Sequence, residues 1–236
     1  MKPMTKASTR YLALATDYDG TLATDGQVDN ETLAALERLR AFGKKLILVT
    51  GRLLDDLQQV FPQYHYCDCI VAENGPLLYF PASGQQKLLA NQPPSEFIQA
   101  LQKRGVHPLS AGKVIVATWH PQETTVQEVI RQLRLELQVI YNKGAVMVLP
   151  NGIDKATGLI AALEELNLSP LNVIGIGDAE NDLTFVCACG YSVAVANALP
   201  MLKEQVDFVT NASRGAGVVE LIDKWLASDL AGTDLP

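Results

Sequence analysis

Short, unbroken apolar runs alternate along the first third of the chain with longer stretches in which apolar residues recur every three or four positions. The run at 11–16 predicts a buried strand. Residues 30–42, with Leu33, Leu36 and Leu39 on one stripe and Asp29 or Asn30 as cap, predict a helix closed by Gly43. Residues 46–49 predict a second strand, 53–61 a second helix stopped at Pro62, and 69–72 a third strand. Strand–helix–strand units of this length imply right-handed crossovers and a parallel sheet.

The rhythm then changes. Apolar runs at 77–80 and 87–89 flank Pro81-Ala82-Ser83-Gly84-Gln85-Gln86 and predict a hairpin. A helix over 95–104, a strand over 114–119 and a helix over 122–134 follow. Strands at 139–141 and 145–149 are joined at Asn142-Lys143-Gly144. Paired strands with short turns indicate a small antiparallel α+β unit inserted in the larger one. From Lys155 the α/β alternation resumes, with helices at 156–166 and 181–188, strands at 172–176, 192–196 and 208–209, a short helix from 199 and a last helix at 217–226. The expected division is an α/β core made of residues 1–81 and 153–236, with an α+β unit at 82–152. The acidic tail from 228 is expected to fray.

Composition narrows the function class. With 236 residues, 48% of them hydrophobic, the chain can bury a full core. A net charge of −7 argues against a nucleic-acid surface. No apolar stretch reaches the ~18 residues needed to span a bilayer. The basic N-terminus is followed by too few apolar residues for a secretory signal, so a cytoplasmic address is expected, for a monomer or small homo-oligomer. The cysteines form two C-x-C pairs, Cys67/Cys69 and Cys187/Cys189, a spacing that fits buried structural thiols better than zinc.

The chemistry sits where strands end. Asp17-Tyr18-Asp19-Gly20-Thr21-Leu22 places two carboxylates one residue apart at the end of the first strand. Alone it reads either as a plain turn or as a site, because two close carboxylates need a shared cation or proton. Thr50-Gly51-Arg52 follows the second strand, Asp154-Lys155 opens a helix, and Gly177-Asp178-Ala179-Glu180-Asn181-Asp182 follows a later strand. Loops at the carboxyl edge of a parallel sheet converge. Their pooled carboxylates, hydroxyl and ammonium suit Mg²⁺ with a phosphate.

These four motifs, in this order, resemble those of the haloacid dehalogenase (HAD) superfamily of phosphatases. Glu73-Asn74-Gly75 and Val195-Ala196-Asn197-Ala198 further resemble its Cof-type and sucrose-phosphatase-like branch, which carries a large C2-type cap after the third core strand. The resemblance implies a Rossmann-like core with an inserted cap domain and a Mg²⁺-dependent phosphomonoesterase working through an aspartyl-phosphate. Asp17 would be the nucleophile and Asp19 the general acid and base. Mg²⁺ would be held by Asp17, the backbone carbonyl of Asp19, and Asp178. Gly20, Thr50, Gly51, Lys155 and Asn181 would bind the phosphate, with Asp182 in support.

The substrate would be a small phosphorylated metabolite, with sugar phosphates, sucrose phosphate and phosphoglycolate as candidates. Glu73, Asn74, Gly75, Trp119 and His120 are candidates for specificity, and Lys143-Gly144 marks a turn that could face the same cleft. Arg52 could pair with a substrate anion or with a core carboxylate. Rival readings are a phosphotransferase or mutase on the same fold, a phospho-aspartate receiver, and a metal-dependent nucleotide-sugar transferase. A dinucleotide site at Gly175-Ile176-Gly177 is disfavoured because Glu180 stands where a glycine is needed.

Overall fold

A computed structural model describes residues 10–228 and residue 230, so the basic N-terminal segment and most of the acidic tail lie outside the described residues. The chain opens with β1 (Ala13–Thr16), α1 (Asn30–Ala41), β2 (Lys45–Val49), α2 (Leu54–Val60) and β3 (Cys69–Ala72). The hairpin β4 (Leu77–Phe80) and β5 (Gln85–Leu88) follows. Next come α3 (Ser95–Lys103), β6 (Ser110–Ala111), β7 (Val116–Trp119), α4 (Glu123–Leu133), β8 (Leu137–Asn142) and β9 (Ala145–Pro150). The last part runs α5 (Lys155–Glu165), β10 (Val173–Gly177), α6 (Leu183–Cys187), β11 (Tyr191–Ala194), α7 (Pro200–Lys203), β12 (Phe208–Val209) and α8 (Arg214–Ser228).

Among the described residues the strands form two sheets, an eight-stranded one in the order β12-β11-β10-β1-β2-β3-β4-β5 and a four-stranded one in the order β6-β7-β9-β8. In the larger sheet β12 through β3 run parallel, and β4 and β5 add antiparallel at one edge. The parallel strands read as unbroken apolar runs because both faces are covered. Leu14, Leu46, Leu48, Ile70 and Ile174 pack on one side with Leu36 of α1 and Trp225 of α8. Ala13, Ala15, Ile47, Val49 and Val71 point the other way, against Leu159 of α5 and Phe185 of α6. Each such leucine or valine, fully buried, contributes about 1.5–3 kcal/mol of transfer free energy.

The hairpin expected from residues 77–80 and 87–89 forms, and its second strand lies beyond the boundary expected after residue 81. Gln85–Leu88 pairs with β4 rung for rung, so the larger sheet extends through Leu88. The strand is exposed throughout, and its polar residues Gln85 and Gln86 carry no apolar period to mark where it begins. The helix expected over 181–188 is also interrupted: residues 180–182 form one tight turn before α6 begins at Leu183.

The smaller sheet has two unlike faces. Val116, Val146 and Val148 pack against Phe97 and Leu101 of α3 and Val126 and Val129 of α4. The alternate residues Met147 and Leu149 face away from those helices, with Val114, Ile115 and Leu53. That second face looks onto the carboxyl edge of the larger sheet. All four cysteines are free thiols, and burial pushes Cys69 up to about 12, in keeping with a packing role. No helix among the described residues is long and apolar enough to cross a membrane.

Candidate active site

Register brings the acidic residues together. β1 and β10 are parallel neighbours with Thr16 opposite Ile176, and the ladder continues as Asp17 N–H donates to Ile176 O at 3.0 Å. Asp17 and Asp178 are therefore the first residues past two adjacent strand ends. Asp182 stands a turn further on. One carboxylate oxygen from each of the three lies within 4.8 Å of the others, and all three residues are buried. Gly20 makes the close approach possible. Its φ is +91°, and a Cβ there would sit 2.4 Å from Asp178 Oδ2.

Lys155 meets this charge from the other side. Asp154 caps α5 by accepting from Thr157 N–H at 2.8 Å, and Thr157 Oγ1 accepts in return from Asp154 N–H at 2.9 Å. The first residue of the helix is thereby aimed inward. Lys155 Nζ donates to Asp17 Oδ1 at 2.5 Å and to Asp182 Oδ1 at 2.6 Å, with its side chain only 1% exposed. Asp182 Oδ2 in turn accepts from the N–H groups of Asp178 and Ala179, both at 2.9 Å. Both Asp182 oxygens are thus bonded within the protein, as are those of Asp178 through Thr21 and Lys143, and all three carboxylates lie within reach of one shared cation.

Burial dominates the electrostatics. It works to lower the Lys155 pKa, but the charges of Asp17 and Asp182 outweigh it and hold the ammonium above the ordinary lysine range. Asp17 is pushed up to about 8, first by burial and then by the charge of Asp182, with Lys155 pulling the other way. Asp178 is also raised, chiefly by burial. One internal lysine therefore leaves the three carboxylates undercompensated. Hard, buried oxygen donors with surplus negative charge are what Mg²⁺ requires, and the residues fit that ion.

Asp19 projects into the open side. Arg52 grips it through Nε at 2.7 Å and Nη2 at 2.8 Å, and reaches Asp56 through Nη1 at 2.8 Å. Of the two roles open to Arg52, the structure provides the core carboxylate. Thr50 follows β2 directly, is buried, and accepts from Arg52 N–H at 3.1 Å, which leaves its hydroxyl proton to be donated. A cavity of about 680 Å³ lies over these groups. Asp17, Asp19, Gly51 and Arg52 form its floor, while Ala117, Trp119, Lys143 and Met147 of the smaller sheet form its roof.

Other expected residues lie elsewhere. His120 is exposed, pairs with Glu123 at 2.8 Å, and does not line the cavity. Glu73 is buried and turned away from the cavity. Its Oε1 accepts from Lys113 N–H at 2.8 Å, and its Oε2 from Val114 and Ile115 N–H at 2.8 and 3.0 Å, so it clamps the two sheets' units together. The turn that carries it needs positive φ at Glu73, Asn74 and Gly75, where a Cβ on Gly75 would collide with Asp154 O at 2.0 Å. Asn181 Nδ2 donates to Asn74 Oδ1 at 2.9 Å, while Asn181 Oδ1 and Asn74 Nδ2 are buried without a partner among the described residues.

Two contacts escaped the sequence reading. Lys143 Nζ reaches Asp178 Oδ2 at 2.5 Å from the β8–β9 turn. Asn197 Nδ2 donates to Gly20 O at 2.8 Å, tying the loop after β11 to the one after β1. The strand-end logic that found Asp17 and Thr50 extends to Asn197. Nothing local marks Lys143's partner.

A family model described as haloacid dehalogenase-like hydrolase matches residues 14–109 and 113–222. The chain is 30% identical over 223 residues to a phosphoglycolate phosphatase of Methanothermobacter thermautotrophicus, covering 91% of this chain and 98% of the relative. It is 30% identical over 228 residues to phosphoglycolate phosphatase 2 of Saccharolobus solfataricus, covering 92% and 94%. Among solved structures, a haloacid dehalogenase-like hydrolase from Bacteroides thetaiotaomicron superposes with a TM-score of 0.77 at 22% identity, covering 91% of this chain and 99% of the other. A Thermoplasma acidophilum protein superposes with a TM-score of 0.78 at 16% identity, covering 92% and 99%. At such identities the superpositions speak for the fold alone.

Proposed function

The chain belongs to the haloacid dehalogenase-like hydrolases, and from that premise we propose that it is a Mg²⁺-dependent phosphomonoesterase acting on a small organic phosphate. The observation that carries the reading is the pairing of Asp17 and Asp178 past adjacent parallel strands, with Lys155 on Asp17 and Asp19 facing the same cavity. Residues 89–152 act as a cap over that cavity. Sugar phosphates and sucrose phosphate remain candidates, but the names of the relatives favour phosphoglycolate.

Asp17 attacks phosphorus in line. Its carboxylate oxygen forms a bond to phosphorus as the bond to the ester oxygen breaks, and Asp19 protonates the departing oxygen. Water then attacks the aspartyl-phosphate on Asp17, Asp19 takes the proton, and inorganic phosphate leaves. Thr50 and Lys155 donate to phosphoryl oxygens, and Gly20 and Gly51 let backbone come close to the phosphate. Asn74 and Asn181 hold a spare donor and acceptor at the edge of the site. Asp17, Asp178 and the backbone carbonyl of Asp19 would hold Mg²⁺, which would supply positive charge against the phosphoryl oxygens. Asp19, a proton-transfer group beside the nucleophile, favours turnover over a receiver that stores phosphate.

Phosphate release from 2-phosphoglycolate tests the reading. The native enzyme should release phosphate only with Mg²⁺, and Asp17→Asn should lose activity by roughly 10³-fold or more. Undiminished release by Asp17→Asn would overturn the covalent mechanism. No release by the native protein from any phosphomonoester would overturn the function.

A further inference from the structure

The cavity's two cations are used differently. Arg52 spends Nε, Nη1 and Nη2 on Asp19 and Asp56. Among the described residues Lys143 has a single side-chain bond, to Asp178 Oδ2, and that oxygen belongs to a residue proposed above to hold the metal. An ammonium drawn onto a buried carboxylate occupies part of the place a divalent cation would take. Mg²⁺ on Asp178 would displace it, and the displaced lysine at the cavity wall would be shared between Glu180, whose Oε1 already accepts its backbone N–H at 3.3 Å, and a carboxylate brought by a ligand.

The turn is built to hold its backbone still while freeing the side chain. β8 and β9 pair over six rungs, from Leu137–Pro150 to Asn142–Ala145. Lys143 takes φ +47° and Gly144 φ +91°, which fixes the tip. Lys143 N–H donates to Glu180 Oε1 at 3.3 Å, docking the tip on the loop that carries Asp178. The Lys143 side chain is 46% exposed, so its ammonium can leave Asp178 at little cost in packing.

We propose that Lys143 is the specificity-determining residue of this site and binds a carboxylate carried next to the phosphoester. The proposal rests on the phosphatase reading above. Because Nζ starts within hydrogen-bond reach of Asp178, it serves only a second anion close to phosphorus. That describes an α-phosphoryloxy carboxylate, whose carboxyl carbon is one methylene from the ester oxygen, as in 2-phosphoglycolate. A phosphodisaccharide brings no anion to that position, and a plain aryl phosphate brings none at all.

The test compares kcat/KM for 2-phosphoglycolate and for p-nitrophenyl phosphate in the native enzyme, Lys143→Gln and Lys143→Arg. A charge-assisted hydrogen bond predicts that Lys143→Gln lowers the ratio of the two by about 30-fold. Lys143→Arg should recover most of it. A second readout is calorimetric Mg²⁺ binding without substrate, which Lys143→Gln should tighten several-fold by removing the competing ammonium. Equal losses on both substrates would place Lys143 on the phosphoryl group and overturn the proposal, as would no loss on either. Mg²⁺ affinity unchanged or weakened would overturn the displacement. Absence of turnover of both substrates by the native enzyme is a different result, since it removes the phosphatase reading itself.

Discussion

Arg52 holds both carboxylate oxygens of Asp19, with Nε 2.7 Å from Oδ2 and Nη2 2.8 Å from Oδ1. A fork of this kind fixes the plane of the carboxyl as well as its position. On the proposed mechanism, Arg52 therefore sets where Asp19 stands for proton transfer. Replacing it with alanine should lower kcat by about 10–100-fold, the scale of a catalytic group displaced by an ångström. Lysine, which lacks the fork, should recover only part. Steady-state kinetics on 2-phosphoglycolate decide it, and an unchanged kcat in Arg52→Ala would remove the orienting role.

Asp17 makes the metal-free protein pH-sensitive. Its carboxyl titrates at about 8 in the folded protein, against an ordinary aspartate value of 3.8, because burial and then Asp182 disfavour the anion. Between those values the folded state binds the proton that the unfolded state has lost, so stability falls as pH rises through the window. The contribution is complete below about pH 3.8 and gone above pH 8. In EDTA the Tm should decline from pH 5 to pH 8, more steeply than in Asp17→Asn. Mg²⁺ should flatten the decline by stabilising the anion. Parallel Tm profiles for the two proteins in EDTA would contradict this.

Lys155 lies between two carboxylates in a buried place. Removing it with Lys155→Ala leaves Asp17 and Asp182 without their counter-ion, a loss of about 3–5 kcal/mol. For a chain of this length that lowers Tm by roughly 10 °C or more. Adding Asp182→Asn removes one of the stranded charges and keeps an acceptor for the N–H groups of Asp178 and Ala179. The double variant should regain part of the stability and none of the activity, as thermal unfolding and phosphate release would register.

Glu73 supplies the clearest stability test away from the chemistry. Its carboxylate satisfies three backbone N–H groups at residues 113–115, all in the connection between β6 and β7 of the smaller sheet. Glu73→Ala strands those donors and should cost about 3 kcal/mol. Urea unfolding measures the loss. A change below about 0.5 kcal/mol, the scale of an ordinary surface substitution, would mean that the clamp is replaced by water.

The parts of the site legible in the sequence are those that one strand and its following turn determine by themselves. Asp17, Thr50 and Asp178 each sit one residue past an apolar run, so the parallel sheet that the runs predict places them together. Lys155 was legible as the residue that opens a helix ahead of a later strand, and through the motif it shares with the family. What could not be read were partnerships across the insertion. Glu73 reads as a specificity candidate until residues 113–115 arrive over it, and Lys143 reads as part of a turn that could face the cleft, with nothing to name Asp178 as its partner. The two-residue strand β6 and the polar edge strand β5 were missed or displaced for a related reason: neither buries a periodic apolar face.

The central place of β1 has a further consequence during synthesis. Asp17 and Lys155 are separated by 138 positions, and β10, the strand that covers one edge of β1, is made later still. At roughly 5–20 residues per second, Asp17 waits roughly 7–28 s on the ribosome for its counter-ion. Until β10 emerges, β1 has an open, apolar edge of the kind that recruits other chains. A nascent chain halted before residue 173 is therefore both inert and adhesive. Completion of the active site and closure of that edge come with the same late third of the polypeptide.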